Sequence, residues 1–126
     1  MAETILVVED EETTKSLIRY KLANSGYRVA VASDGVEALK LLKTTTPDLI
    51  ILDLMMPLMS GQEFLISLRE RKKYDDIPVI ILSAKTLEKD VLEGLSIGAD
   101  DFIKKPFSPS ELVARVQMQL SRRKRS

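Results

Sequence analysis

An open α/β domain, with a doubly wound sheet of five parallel strands, is the fold class this sequence predicts, and three observations predict it. Short apolar runs rich in β-branched residues recur at Ile5–Val8, Leu49–Leu52, Val79–Leu82 and, more briefly, Phe102–Ile103. Runs of that length and type suit parallel strands buried on both faces. Stretches with helical spacing separate them, so strand and helix patterns alternate along the whole chain. Turn formers, Gly26, Asp34-Gly35, Pro47, Pro78 and Gly98, fall at the junctions.

Taken in order, Ile5 to Val8 forms the first strand and Glu12 to Asn24 the first helix. Leu17, Ile18 and Leu22 should face inward, and Gly26 should close the C-terminal end. Val29-Ala30-Val31 reads as the second strand, followed by the Asp34-Gly35 turn and a helix through Leu39 and Leu42. Pro47 stops that helix, because the residue before a proline disfavours helical backbone. The third strand leads past Gly61 into a helix carrying Phe64, Leu65 and Leu68, and Pro78 marks the start of the fourth strand. A fourth helix runs from about Leu87 to Ile97 and ends at Gly98. The last begins at Ser108-Pro109, with Ser as N-cap and Pro at the first helical position, and places Leu112, Val116 and Leu120 on one face.

The chain of 126 residues, 44% of them hydrophobic, fits one domain with a single core. Residues 1–121 are assigned to it, and 122–126 to a basic tail or the start of a linker. Cysteine is absent, which removes disulfides and thiolate metal sites. Histidine is absent too, so any phosphohistidine must be supplied by a partner. A formal net charge of zero argues against a basic nucleic-acid domain. No signal sequence opens the chain and no apolar run approaches membrane-spanning length, so a cytoplasmic location without membrane contact is expected.

The chemistry gathers at the carboxyl ends of the strands, where open α/β sheets bind their ligands. The first strand runs into Glu9-Asp10, the third into Asp53, the fourth into Ser83 and the fifth into Lys105-Pro106. Alone, a strand-end Asp or Ser is most often a turn or cap residue. Together they bring carboxylates, a hydroxyl and an ammonium to one crevice. Crowded carboxylates repel unless a hard cation joins them, and Mg²⁺ is satisfied by one or two carboxylates, waters and a phosphate. A carboxylate at such a place can act as a nucleophile toward phosphorus, and Asp53 is the candidate. Glu11 and Glu12 suit a helix N-terminus and are not counted as ligands.

These pieces, Val7-Val8-Glu9-Asp10-Glu11, Asp53-Leu54-Met55-Met56-Pro57 with Gly61, Ser83-Ala84, and Gly98 to Phe107, resemble the receiver domain of bacterial two-component response regulators. The likeness runs from about Thr4 to Leu120. It implies a flavodoxin-like sheet in the order 2-1-3-4-5 and a phosphorylation-dependent switch served by a sensor histidine kinase or phosphotransfer protein. It further implies Asp10 and Asp53 as direct Mg²⁺ ligands with the backbone carbonyl of Met55. Glu9, where the family often has Asp, would act mainly through water. Lys105 would pair with Asp53 at rest and with a phosphoryl oxygen later, and the Lys105-Pro106 bond would be cis. Ser83 would meet another phosphoryl oxygen, and Phe102 stands where the family carries its switch aromatic.

The segment from Gly98 to Arg115 looks most like the receivers of winged-helix transcription regulators. In those, two active receivers pair through helix 4, strand 5 and helix 5. Matching positions are Asp100, Asp101, Glu111, Arg115 and Arg122, around an apolar patch of Leu92, Leu95 and Val113. Val91 stands where a basic residue normally pairs with Glu111, so that either Lys89 substitutes for it or that cross-subunit pair is missing. Phosphorylation would favour a homodimer, and contact with DNA would need an output domain outside this chain. A stand-alone regulator acting by protein binding is the main alternative. A haloacid-dehalogenase-like phosphatase wants a second Asp where Met55 stands, and a flavin or nucleotide binder would be repelled by Glu9 to Glu12.

Overall fold

A computed structural model describes residues 2–84 and 87–125, without the side chains of 124 and 125. The order is β1 (Thr4–Val8), α1 (Glu12–Asn24), β2 (Arg28–Ala32), α2 (Gly35–Leu42), β3 (Leu49–Leu52), α3 (Gly61–Arg69), β4 (Val79–Ser83), α4 (Glu88–Ser96), β5 (Asp101–Lys104) and α5 (Pro109–Arg125). A 3-10 turn at Lys72–Tyr74 precedes β4. All strand pairs are parallel, in the order β2-β1-β3-β4-β5. The expected fold is therefore the one observed.

Alternation along each strand divides the apolar residues between two layers. Leu6, Val8, Ile50, Leu52, Val79 and Ile81 face α2 and α3, meeting Ala38, Leu42, Phe64, Leu65 and Leu68. Ile5, Val7, Leu49, Ile51, Ile80, Leu82 and Ile103 face the other way, onto Ile18 and Leu22 of α1 and Leu112, Val116 and Leu120 of α5. β3 and β4 are buried throughout and β1 is buried from Ile5 to Val8, which is why they lack the polar alternation of a one-sided sheet.

One inward assignment needs correcting. Leu17 is 44% exposed, while Ile18 and Leu22 are fully buried. The inward stripe of α1 is Lys15, Ile18 and Leu22, at the spacing of one helix face, and Leu17 lies one position off it. Lys15 reaches its buried place by donating to the Ser33 hydroxyl at 2.9 Å and pairing with Glu12 at 2.8 Å.

The helix ends follow their local chemistry. Asp34 caps α2 by accepting from the Glu37 N–H, and Ser60 with Glu63 forms a reciprocal capping box on α3. The Ser108 hydroxyl accepts from the Glu111 N–H at the start of α5. Gly98 follows α4 at φ +116°, a backbone region that suits glycine. α5 continues to Arg125, beyond the point where a tail was expected to begin. Arg123 explains part of this, because its guanidinium donates to the Asp48 carbonyl at 2.8 Å and to the Asp48 carboxylate at 3.0 Å.

Candidate functional site

Parallel register carries Glu9, Asp53, Ser83 and Lys105 to the same edge of the sheet. Val8 stands beside Leu52, and Ser83 beside Lys104, so the residues following those strands emerge together. Asp53 is 94% buried, with its N–H tied to the Val8 carbonyl at 3.0 Å. Glu9 is 2% exposed and its N–H is tied to the Ala32 carbonyl. Asp10 is exposed on the rim. Ligand oxygens of Glu9, Asp10 and Asp53 all lie within 4.8 Å of one another.

Lys105 enters this acidic group from β5. Its ammonium lies 2.6 Å from Glu9 Oε1 and 3.6 Å from Asp53 Oδ2, so its tighter partner is Glu9 and not Asp53. The longer glutamate side chain explains the difference. The other Glu9 oxygen accepts the Glu11 N–H at 3.2 Å, and Asp53 Oδ1 accepts the Met55 N–H at 3.3 Å. Lys104 points to solvent, and the Lys105-Pro106 bond is cis. Ser83 is fully buried at the end of β4. Lys85, two residues beyond Ser83, lies outside the described residues.

Burial raises the Glu9 pKa above its ordinary 4.5, with the Asp53 charge adding to the rise and the Lys105 hydrogen bond opposing it. Burial works against the charge on Lys105, but the Glu9 hydrogen bond and the Asp53 charge outweigh it and lift its pKa above 10.5. The group thus holds more negative charge than its one ammonium neutralises. Hard carboxylate oxygens at this spacing, one of them rim-exposed, fit a small hard dication.

Around Asp53, Gly61 is needed for close packing. A Cβ there would collide with the Asp53 carbonyl oxygen and lie 2.6 Å from Leu54 Cα. Met55 is 56% exposed and Leu58 83% exposed. Leu58 adopts φ +68°, with the Met59 N–H reaching back to the Pro57 carbonyl at 2.7 Å. Asp10, Met55, Met56, Ser60 and Gln62 line an open depression beside the carboxylates.

The distal candidates are placed differently from a free charged surface. Phe102 is half-buried, with its ring 3.6 Å from where a Gly94 Cβ would stand. Leu92 and Leu95 are exposed, whereas Val113 is partly packed on the α1–α5 layer. Asp101 pairs with Arg115 at 2.8 Å, and Arg115 also approaches Glu111 at 3.7 Å. Asp100 accepts from Arg69 at 3.1 Å and from the Val79 N–H at 2.8 Å. Each of these four interface candidates has a partner within the chain. Arg69 carried no sequence signal, since a lone arginine in the last turn of a helix ordinarily serves the helix dipole.

A family model described as the response regulator receiver domain matches residues 5–117. The alkaline phosphatase synthesis transcriptional regulatory protein PhoP of Bacillus subtilis (strain 168) is 49% identical over 122 residues, 97% of this chain and 50% of that protein. The phosphate regulon transcriptional regulatory protein PhoB of Escherichia coli (strain K12) is 43% identical over 97% of this chain and 53% of its own length. The chain therefore spans about half the length of these curated relatives. Among solved structures, the receiver domain of the Francisella response regulator 1452 superposes with TM-score 0.89 at 39% identity. That match covers 95% of this chain and 98% of the other.

Proposed function

This chain belongs to the response regulator receiver domain family, and from that premise we propose that it is a signalling switch in which Asp53 accepts a phosphoryl group from a histidine kinase or phosphotransfer protein. The observation that carries the reading is Lys105 set against the buried carboxylates of Glu9 and Asp53, with Asp10 at the rim. An Asp53 carboxylate oxygen attacks phosphorus as the bond from phosphorus to the donor imidazole nitrogen breaks. The electron pair returns to that nitrogen, and the imidazole leaves with the partner. Because this chain has no histidine, it is the acceptor in the exchange.

Asp10, Asp53 and the Met55 carbonyl are the proposed holders of Mg²⁺, with Glu9, the tighter partner of Lys105, acting mainly through a bound water. The ion supplies charge neutralisation on the transferring phosphoryl oxygens. Lys105 moves from Glu9 to a phosphoryl oxygen and Ser83 donates its hydroxyl to another, so both are drawn toward Asp53. The resulting displacement at the end of β4 opens space for Phe102 and reshapes the surface of α4, β5 and α5.

The output is proposed to be transcription, by analogy with the two transcriptional regulatory relatives. Active chains would pair through α4, β5 and α5, and DNA would be reached through a separate output domain. No described helix is long and apolar enough to cross a membrane, in keeping with the cytoplasmic setting proposed here. A stand-alone regulator differs only in what the altered face binds. The exposed, apolar Met55 sits where a haloacid-dehalogenase-like phosphatase would need its second carboxylate. Intact-mass analysis after acetyl phosphate and Mg²⁺ tests the central claim. One phosphoryl adduct is expected, absent from Asp53→Ala; an adduct that survives in the variant overturns it.

A further inference from the structure

α4 is held very unequally at its two ends. Gly94 is its one buried residue, among the described residues no side chain caps its N-terminus, and Leu92 and Leu95 on it are exposed. Gly94 is a notch: a Cβ there would lie 2.7 Å from Ile81 Cδ1 and 3.6 Å from the Phe102 ring. The middle of α4 therefore rests on β4 and β5 through a small contact that includes the candidate switch aromatic.

The C-terminal end is gripped instead by Arg69, from the last turn of α3. Arg69 Nε donates to the Gly98 carbonyl at 3.0 Å, Nη1 to the Tyr74 carbonyl at 2.8 Å and Nη2 to the Asp100 carboxylate at 3.1 Å. The same Asp100 oxygen accepts the Val79 N–H, so the grip extends to the start of β4. Its side chain is only 17% exposed. A planar fork with donors in several directions suits arginine and cannot be reproduced by lysine. Gly98 is shaped to receive it, since a Cβ there would lie 2.8 Å from Arg69 Cγ. α3 is a firm base for the grip, with Phe64, Leu65 and Leu68 fully buried.

We propose that Arg69 is a positioning residue of the switch: it pins the α4–β5 junction, so that displacement starting at Ser83 swings the N-terminal end of α4 about Gly98. This rests on the phosphorylation reading above. A pinned end and a lightly seated middle make α4 a lever, in which a small shift at Ser83 becomes a larger one on the exposed Leu92 face. Without the pin, the same shift would dissipate as loosening of the α4–β5 junction.

Hydrogen exchange, read amide by amide with and without Mg²⁺ and beryllofluoride, tests this. The amides of Ile97, Gly98, Ala99 and Asp100 are suitable reporters because each donates within the fold, to Glu93, Leu95, Gly94 and Val79 respectively. In the wild type, beryllofluoride should change exchange in residues 88–92 by about tenfold and leave 97–100 within about twofold. Arg69→Met should speed exchange at 97–100 by about tenfold at rest and spread the beryllofluoride response into that segment. Arg69→Lys, which keeps the charge but not the fork, should do the same more weakly, and Arg71→Met on the exposed neighbour should not. A wild-type response as large at 97–100 as at 88–92, or an Arg69→Met protein identical to wild type there, overturns the pin. No wild-type response anywhere would refute the switch reading itself, and the lever with it.

Discussion

Glu9 and Lys105 are the residues where charge and burial conflict most. Folding raises the Glu9 pKa above 4.5, so between that value and the raised one the folded chain holds more protons than the unfolded chain. Stability must then fall as pH rises through that window and stay reduced above it. Lys105 has the same sense in a higher window: its pKa is raised above 10.5, so its contribution is full below that pH and lost as pH climbs through the raised value. Glu9→Gln should therefore gain stability relative to wild type as pH rises from 4.5, then level off. Urea midpoints between about pH 4 and 8 measure this, and a gap constant across the range would contradict it. Met55 governs a second residue-scale outcome. It is exposed, apolar and unable to orient a water for attack on an aspartyl-phosphate. Slow autodephosphorylation is expected, with faster decay in Met55→Asn/Lys85→Glu. Loss of the phosphoryl group from wild type within seconds would refute it.

Among the elements, α3 is the one built directly onto Asp53, the proposed acceptor. Its first residue presses on the Asp53 carbonyl and Leu54, and its start is fixed by the Ser60–Glu63 capping box. Ser60→Ala should cost about 1 kcal/mol, because one helix N–H loses its acceptor. Gly61→Ala should cost about 1–3 kcal/mol, because the neighbours it meets are backbone atoms that cannot swing aside. The second substitution also displaces Asp53 and should slow phosphorylation by acetyl phosphate, whereas the first should leave that rate near wild type. Denaturant melts alongside adduct-formation rates separate the two. Equal rates in Gly61→Ala and wild type would mean that the close packing does not position the acceptor.

For the whole molecule, the open question is how one chain meets another. The α4–β5–α5 face has exposed Leu92 and Leu95, but Asp101, Glu111 and Arg115 pair internally and Asp100 is held by Arg69. A two-fold dimer would exchange internal pairs for equivalent pairs across the interface, with little net electrostatic gain. Its affinity must come from the apolar centre, and with Val91 replacing a basic partner it should be modest. Sedimentation with Mg²⁺ and beryllofluoride should show a reversible, concentration-dependent dimer that weakens in Leu92→Ser. A monomer at high concentration in both states would favour a stand-alone regulator that binds some other partner.

Sequence by itself determined the sheet, its five helices and the residues that converge at its edge. Those depend on short-range signals: apolar runs of strand length, turn formers at the junctions, and polar residues placed immediately after strands. A parallel sheet brings strand ends together whatever the loops do, so Glu9, Asp10, Asp53, Ser83 and Lys105 were legible as one group. Only the tertiary structure decided who pairs with whom inside that group and on the distal face. Whether Lys105 rests on Glu9 or Asp53 turns on one methylene and a 1 Å difference between 2.6 and 3.6 Å. Leu17 fell outside the core because a stripe of Lys15, Ile18 and Leu22 won the inward face of α1, with the lysine made compatible by Ser33 and Glu12. Arg69, Arg123 and Leu58 had no local pattern to mark them. Their roles come largely from acceptors distant in sequence, 29 and 31 residues from Arg69 and 75 from Arg123, or from backbone geometry at a single turn, and such partners are fixed only when the chain closes around its core.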